Sequence, residues 1–232
     1  MGDTEVVFYQ EDDGDVPLLE WLDGLETKPR EKCLARLARL EALGHELRRP
    51  EADYLRDEIC ELRAAYQGVQ YRMLYFFSGK AFVVVSHGLV KEKKVPSKEI
   101  DRAVARKERF EADPEAHTFE ERIEMAEKKR RKFRSRGLQY AYDRYVGEDS
   151  ERSQSFEDEL LNARIASQIY DLRTQAELSQ RQLAERVGTT ASVICRLEDA
   201  DYDGHSLSML RRIAEALDKQ IEIRFVSKER PA

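Results

Sequence analysis

Cysteine is scarce in this chain of 232 residues: Cys33, Cys60 and Cys195 are odd in number and widely spaced. They exclude a disulfide framework and do not have the spacing of a zinc cluster, so they read as small core or surface thiols in a reduced compartment. Long apolar runs are missing too. None approaches the ~18 residues of a membrane span. Residues 1–5, Met-Gly-Asp-Thr-Glu, lack the basic and apolar make-up of a signal peptide, and Gly2 has no Ser/Thr at the position that marks myristoylation. The expectation is a cytoplasmic protein without a membrane partner. Neither sign of charge dominates, with 40 Lys+Arg against 46 Asp+Glu and a net charge of −6. Apolar residues make up 41%, enough to bury cores, which excludes a wholly disordered chain. The length suits one large domain or two small ones.

The near-neutral total hides a division. Residues 1–61 hold 17 acidic and 8 basic side chains, whereas residues 62–112 hold 5 acidic and 11 basic. A small domain with one acidic and one basic half has an oriented field, and its basic half attracts phosphate. Solvated helix faces would give the same counts.

Periodicity divides the first 112 residues. Val6–Tyr9 reads as a short strand. Asp15 can cap a helix carrying Leu18, Leu19, Trp21, Leu22 and Leu25, and Thr27 a second with Cys33, Leu34, Leu37 and Leu40. From Glu58 the period becomes two, giving strands at about 58–66, 69–77 and 80–88, separated by Gln67-Gly68 and Ser78-Gly79 as two-residue turns. Ser97 can cap a last helix to Ala112. The first turn sets Cys60 opposite Tyr75, Leu62 opposite Met73 and Arg63 opposite Arg72; the second sets Val84 opposite Met73 and His87 opposite Gln70. One face then carries Cys60, Leu62, Ala64, Met73, Tyr75, Phe82 and Val84 for packing. The other gathers Glu61, Arg63, Gln70, Arg72 and His87, beside Leu74, Phe76 and Val83. Directly opposed arginines repel, so an anion or acidic partner is expected at the pair. Lys91, Lys93 and Lys94 follow the strand that holds His87.

Cleavage of RNA needs a base for the 2′-OH, cations for the charge on phosphorus and an acid for the leaving oxygen. Lysines and arginines can supply much of this without a metal or other cofactor, and no convincing carboxylate cluster for Mg²⁺ is present. Tyr66, Gln70 and Tyr71 are candidates to hold the RNA, with both tyrosines on the packing face. A hydrogen-bonded histidine at a strand end is the competing reading of His87.

The ordered set Glu61-Leu62-Arg63, Tyr71-Arg72-Met73-Leu74-Tyr75 and His87-Gly88-Leu89-Val90-Lys91-Glu92-Lys93-Lys94-Val95-Pro96 resembles the RelE/HigB superfamily of toxins, in its phage-derived branch. The resemblance spans most of residues 1–112. It implies an mRNA endonuclease acting on the ribosome, with Arg63, Arg72, His87, Lys91, Lys93 and Lys94 as the catalytic set. Glu92 departs from the pattern, standing where the family usually has a second lysine.

Residues 113–156 read as a charged, largely helical connector. Phe119 to about Arg136 has helical composition and carries Lys128, Lys129, Arg130, Arg131, Lys132, Arg134 and Arg136, suited to nucleic acid, to the acidic half of the first domain, or to water alone. Residues 148–159 are acidic and Ser-rich, and could lie in the basic groove as a neutralising segment.

Residues 157–232 read as four helices. The string Leu178 to Thr190, followed by Val193-Ile194-Cys195-Arg196-Leu197-Glu198 and by Leu207 to Leu217, resembles the Xre family of Cro/repressor-type helix-turn-helix proteins. Docking of the third helix in a major groove would put Ala191, Ser192, Cys195 and Arg196 at base edges or backbone, with Gln180 and Thr190 at phosphates. The resemblance implies a structural ion pair between Arg173 and Glu198, and Ala191 stands where relatives often have Gln. Gln220–Val226 alternates as a strand and needs a partner; pairing across a two-fold axis through residues 219–226 would give the homodimer that a palindromic operator requires.

The expected architecture is therefore an N-terminal α+β RelE-like domain (antiparallel sheet with helices), a helical connector, and an all-α helix-turn-helix domain with a terminal β-strand. The order resembles a HigB toxin and a HigA antitoxin joined in one chain: a latent mRNA endoribonuclease held inactive by its own C-terminal half, which also represses its operator. The alternative is a DNA-binding regulator whose toxin-like domain is catalytically dead and serves for interaction.

Overall fold

The computed structural model describes residues 4–79, 81–91, 94–120 and 132–224. Two compact units divide the chain, one of residues 1–127 and 131–160, the other of 128–130 and 161–232. The described helices include none long and apolar enough to cross a membrane.

The first unit is built on five strands: β1 (Glu5–Phe8), β2 (Ala52–Arg56), β3 (Ile59–Tyr66), β4 (Val69–Ser78) and β5 (Phe82–Lys91), in the spatial order β1-β5-β4-β3-β2. The sheet is mixed and not purely antiparallel as expected, because β1 joins β5 in parallel. Residues between β1 and β2 form α1 (Pro17–Asp23) and α2 (Thr27–Leu43), and α3 (Ser97–Ala112) follows β5. Each N-cap lies one residue from the expected one, at Val16, Glu26 and Pro96 instead of Asp15, Thr27 and Ser97.

The β3–β4 pairing has the register set by a two-residue turn, with Cys60, Leu62 and Arg63 opposite Tyr75, Met73 and Arg72. Gln67 and Gly68 both have positive φ, 48° and 83°, as that tight hairpin requires. The β4–β5 pairing differs from expectation. Ser78 faces Phe82, so the loop holds three residues, and a bulge at Leu74/Tyr75 shifts the register again. Val84 faces Phe76 instead of Met73, and His87 faces Leu74 instead of Gln70. An odd change in register turns side chains over. Val83 and Val85 therefore pack with Leu62, Met73 and Tyr75 under α1 and α2, while Val84 joins Ile59, Leu74 and Phe76 under Ile100, Ala103 and Phe110 of α3.

The segment after α3 completes this unit, whose compact body runs on to Leu160. Thr118 bridges to Tyr9 and His117 stacks on the Tyr9 ring at 5.2 Å. α4 (Arg136–Tyr145) lays Leu138, Ala141, Tyr142 and Tyr145 into the core shared with Val6, Phe8 and α2. A Cβ at Gly137 would stand 3.1 Å from the Phe8 ring, so a side chain there would press the ring back by a few tenths of an ångström. Helix α5 (Ser150–Gln175) begins in this unit, where Phe156 sits against Tyr142 and Phe133, with ring centroids 5.2 and 6.2 Å away. Its acidic start contradicts the groove-filling expectation: Glu159 binds Lys32 of α2 at 2.6 Å, and Ser155 donates to Glu31 at 2.6 Å. Those contacts are on the α2 side, whereas Glu61 and Arg63 alternate to the other face of β3. Of the basic run, Lys132 pairs with Glu157 at 2.5 Å; the 128–131 part lies outside the described residues.

The second unit packs the rest of α5 with α6 (Gln180–Val187), α7 (Ala191–Leu197) and α8 (Leu207–Ala216) around Ile169, Leu183, Val187, Ile194, Leu197 and Ile213. Ser179 and Gln182 form a reciprocal capping box at the start of α6, and Gly188 ends it at φ 70°. The terminal strand is not formed over residues 219–224, and Phe225 and Val226 lie outside the described residues. A strand exists through bonds to a neighbour, and none of the described strands pairs with this segment. Ile221 and Ile223 are exposed.

Candidate functional site

Alternation along three strands builds a charged cluster on the α3 face of the sheet. Glu61 and Arg63 project from β3, Arg72 from β4, Lys91 from β5, and Asp53 stands beside Glu61 on β2. The Glu61 carboxylate, 2% exposed, is the hub: one oxygen lies 2.7 Å from Arg63, the other 3.1 Å from Arg72 Nε and 3.3 Å from Lys91 Nζ. Asp53 accepts the second arm of Arg63 at 2.7 Å and pairs with Arg49 at 2.6 Å. Four cations therefore share two carboxylates. Burial pushes the Asp53 carboxyl up, but hydrogen bonding by Arg49 and the charge of Arg63 outweigh it and hold it below its ordinary value.

The cations are not equivalent. Arg72 is buried and turns its guanidinium to the carbonyls of Tyr71 (2.7 Å) and Ala64 (3.4 Å) and to Gln70 Oε1 (3.0 Å). It has little reach outward. The Arg63 side chain is 28% exposed against 8% for Arg72, so Arg63 is the more accessible of the two. Lys91 can titrate where the arginines cannot. Burial lowers its pKa, Arg72 and Arg63 push the same way, and Glu61 opposes them.

His87 stands apart from this charged cluster. It is 4% exposed, shares a 2.9 Å hydrogen bond with Ser86 Oγ through Nδ1, and has Nε2 3.3 Å from Glu99 of α3 without a hydrogen bond between them. Burial, with Arg106 and Arg102 adding to it, lowers its pKa to about 3. Ser86-His87-Glu99 has the composition of a nucleophile triad, but Ser86 is fully buried, so no substrate reaches it. The unfolded chain takes up a proton at His87 below about pH 6.5 and the folded chain does not, so stability falls as pH drops through that window. Between pH 6.5 and 5.0 this group is expected to cost about 2 kcal/mol. Urea unfolding across that range checks it: His87→Gln flattens the dependence by that amount.

Gln70 is tied to Arg72, and Lys94 is exposed; Lys93 lies outside the described residues. Tyr66 and Tyr71 are on the α1/α2 face, away from the cluster. Tyr71 packs beside Trp21, ring centroids 6.4 Å apart, and Trp21 lies so close over Gly88 that a Cβ there would be 2.0 Å from its ring. Sequence reading put Glu61 on the correct face but did not give it the central position. The signal was available as the Glu-x-Arg spacing, which puts both residues on one side of a strand.

In the second unit, Arg173 grips Glu198 with two hydrogen bonds, one of 3.0 Å, and donates to the Leu178 carbonyl at 2.7 Å. Gln180 gives its side-chain amide to the same Glu198 at 2.8 Å. Ala191, Ser192, Cys195 and Arg196 share an exposed face of α7; Thr190 precedes them, its hydroxyl 3.0 Å from that of Ser192.

Two family models match the chain. Residues 20–108 match the one described as "Phage derived protein Gp49-like (DUF891)", and residues 149–226 match a "Helix-turn-helix domain". No curated protein matches. Among the described residues there is no group of three or more His, Cys, Asp or Glu side chains that could hold a metal ion. The chain is a fusion of an N-terminal phage-derived Gp49-like domain and a C-terminal helix-turn-helix domain.

Proposed function

We propose that the first domain is an endoribonuclease of the RelE/HigB kind, acting on mRNA at the ribosome, and that the second binds operator DNA and represses the protein's own promoter. The observation that supports the nuclease is the convergence of Arg63 and Lys91 on one spot, with Arg72 behind them. In the reaction, Lys91 in its amine form takes the proton from the 2′-OH as the O2′–P bond forms. Arg63 carries the added charge on the non-bridging oxygens, and the P–O5′ bond breaks as the leaving oxygen takes a proton from water. The products are a 2′,3′-cyclic phosphate and a 5′-hydroxyl. His87, buried and neutral, holds β5 against α3 and takes no part. A lowered Lys91 pKa puts the amine within reach at a pH below the usual lysine range.

Arg63→Gln or Lys91→Gln is expected to reduce cleavage by 10²-fold or more in a variant shown by urea unfolding to remain folded, read by primer extension on mRNA in a purified translation extract. Cleavage undiminished in both variants removes the assignment.

A second reading is supported by the engagement of Arg63, Arg72 and Lys91 with Glu61: a regulator whose first domain is catalytically dead and mediates interaction. Under it neither substitution changes mRNA. Both readings keep DNA binding through the exposed face of α7. Arg196→Ala should weaken binding to DNA upstream of the protein's own reading frame by about tenfold, corresponding to ~1–3 kcal/mol for a groove contact, and leave unfolding unchanged. A gel-shift titration at fixed salt checks this. The proposed dimer forms through residues 219–226, where Ile221 and Ile223 are exposed.

A further inference from the structure

We infer that Glu61 is a resident anion whose carboxylate occupies the point on which Arg63, Arg72 and Lys91 converge, so that an incoming phosphate competes with it for Arg63 and Lys91. The inference deepens the nuclease proposal and rests on it only for the claim that RNA is the source of that phosphate.

Two arginines set directly opposite each other in a sheet require a counter-charge. The counter-charge is supplied from within, two residues before Arg63 on the same strand. Glu61 Oε1 takes Arg63 at 2.7 Å while Oε2 takes Arg72 at 3.1 Å and Lys91 at 3.3 Å. At 2% exposure the carboxylate has almost no contact with water, so its charge is satisfied by these cations. It is also fixed in place, since β3 is paired on both sides, with Asp53 opposite Glu61 on β2 and Leu74 on β4. Asp53 takes the second arm of Arg63, and Arg49 pairs with Asp53. The Arg63 side chain is 28% exposed and that of Lys91 10%, so a phosphate group reaches these two, but it gains only what they can give beyond their bonds to Glu61. The carboxylate sets the affinity low while holding the cations aimed at a common point. Removing its charge frees Lys91 and one arm of Arg63 for the ligand.

The test uses the full chain and inorganic phosphate. Trp21 is the single tryptophan and belongs to the first unit, so its fluorescence reports thermal unfolding of that unit. Phosphate is titrated at constant ionic strength against chloride, because a ligand that binds only the folded state raises the midpoint. Glu61→Gln is expected to bind phosphate at least tenfold more tightly than the wild type, and adding Lys91→Gln to it abolishes the gain. Equal responses of wild type and Glu61→Gln overturn the inference, as does a gain that survives in the double variant. If Glu61→Gln does not fold, Glu61→Asp serves, because it withdraws the charge by one methylene. A threefold or larger gain then supports the inference and no gain overturns it. A 2′-O-methyl RNA oligonucleotide, which cannot be cleaved by 2′-OH attack, separates the sources: tighter binding by the variant places RNA at the site. The outcomes stay separable from the nuclease proposal. Cleavage by the wild type with no gain in the variant removes the inference alone. A gain in the variant without cleavage by any form removes the nuclease alone.

Discussion

Residues 1–112 expressed alone are expected to be unfolded or aggregated, while residues 1–160 unfold cooperatively as a native domain. Cutting after α3 strips Phe133, Leu138, Tyr142, Tyr145, Val146, Phe156 and Leu160 from the core they share with Val6, Phe8, Leu34 and Leu37. At roughly 1.5–3 kcal/mol for each large apolar side chain buried, the loss is on the order of 10–20 kcal/mol. Domains of this size have only about 5–15 kcal/mol in total. The cut also leaves Glu31 and Lys32, both buried on α2, without Ser155 and Glu159. Size-exclusion chromatography with near-ultraviolet circular dichroism distinguishes the two fragments. A monomeric, ordered 1–112 fragment would mean that α4 and the start of α5 are accessory, and the boundary drawn from sequence would stand.

Glu51→Ala is the substitution expected to cost most among single changes, about 3–5 kcal/mol, because it removes a buried carboxylate that two buried guanidinium groups share. Glu51 is fully buried, Arg39 grips it with bonds of 2.8 and 3.1 Å, and Arg36, also fully buried, has its NH1 3.9 Å away. The effect reaches the cluster as well. Arg63 donates its backbone N–H to the Glu51 carbonyl at 2.8 Å and accepts from Arg36 Nε at 3.0 Å through its own. The guanidinium pair thus lies directly beneath the strand that presents Arg63. Urea unfolding followed by Trp21 fluorescence measures the cost. A loss under 1 kcal/mol would show that the network relaxes or hydrates, and that Arg63 is held by strand pairing alone.

What could be read from the residues followed the strength of the local signals. Gln67-Gly68 identified its turn and fixed β3 against β4 to the residue, since only a tight loop with two positive φ values fits there. The next loop misled, because Ser78-Gly79 has the same look but Ser78 is paired and the turn is one residue longer. The bulge beyond it, at Ser86, left no mark in composition. Together they moved His87 away from the cluster. β2 went unread because its turn is Asp57-Glu58, two non-glycine residues at φ 50° and 62°, and its five residues alternate poorly. Tertiary context decides such a turn.

The largest omission concerns charge on α2. Glu31, Lys32, Arg36 and Arg39 were given no role in the sequence reading, yet all four are buried, because each is paired by a residue distant in sequence. Hydrophobic periodicity carries no record of such pairing. The opposed arginines were inferred correctly and so was their need for an anion; that anion was expected from a ligand, a partner or residues 148–159, when Glu61 was already in the strand. In the second unit the caps at Ser179 and Ser206 and the glycine at 188 were legible in the sequence because they act within one turn of the helix they bound.

The most direct test of the account is the fate of mRNA in a purified translation extract given residues 1–160, the full chain, and each with Arg63→Gln or Lys91→Gln, with new 5′ ends mapped by primer extension. The account predicts discrete cuts by residues 1–160 and by the full chain, and none by the substituted forms. Intact mRNA with a demonstrably folded 1–160 fragment, or cuts that persist when both Arg63 and Lys91 are replaced, would contradict it.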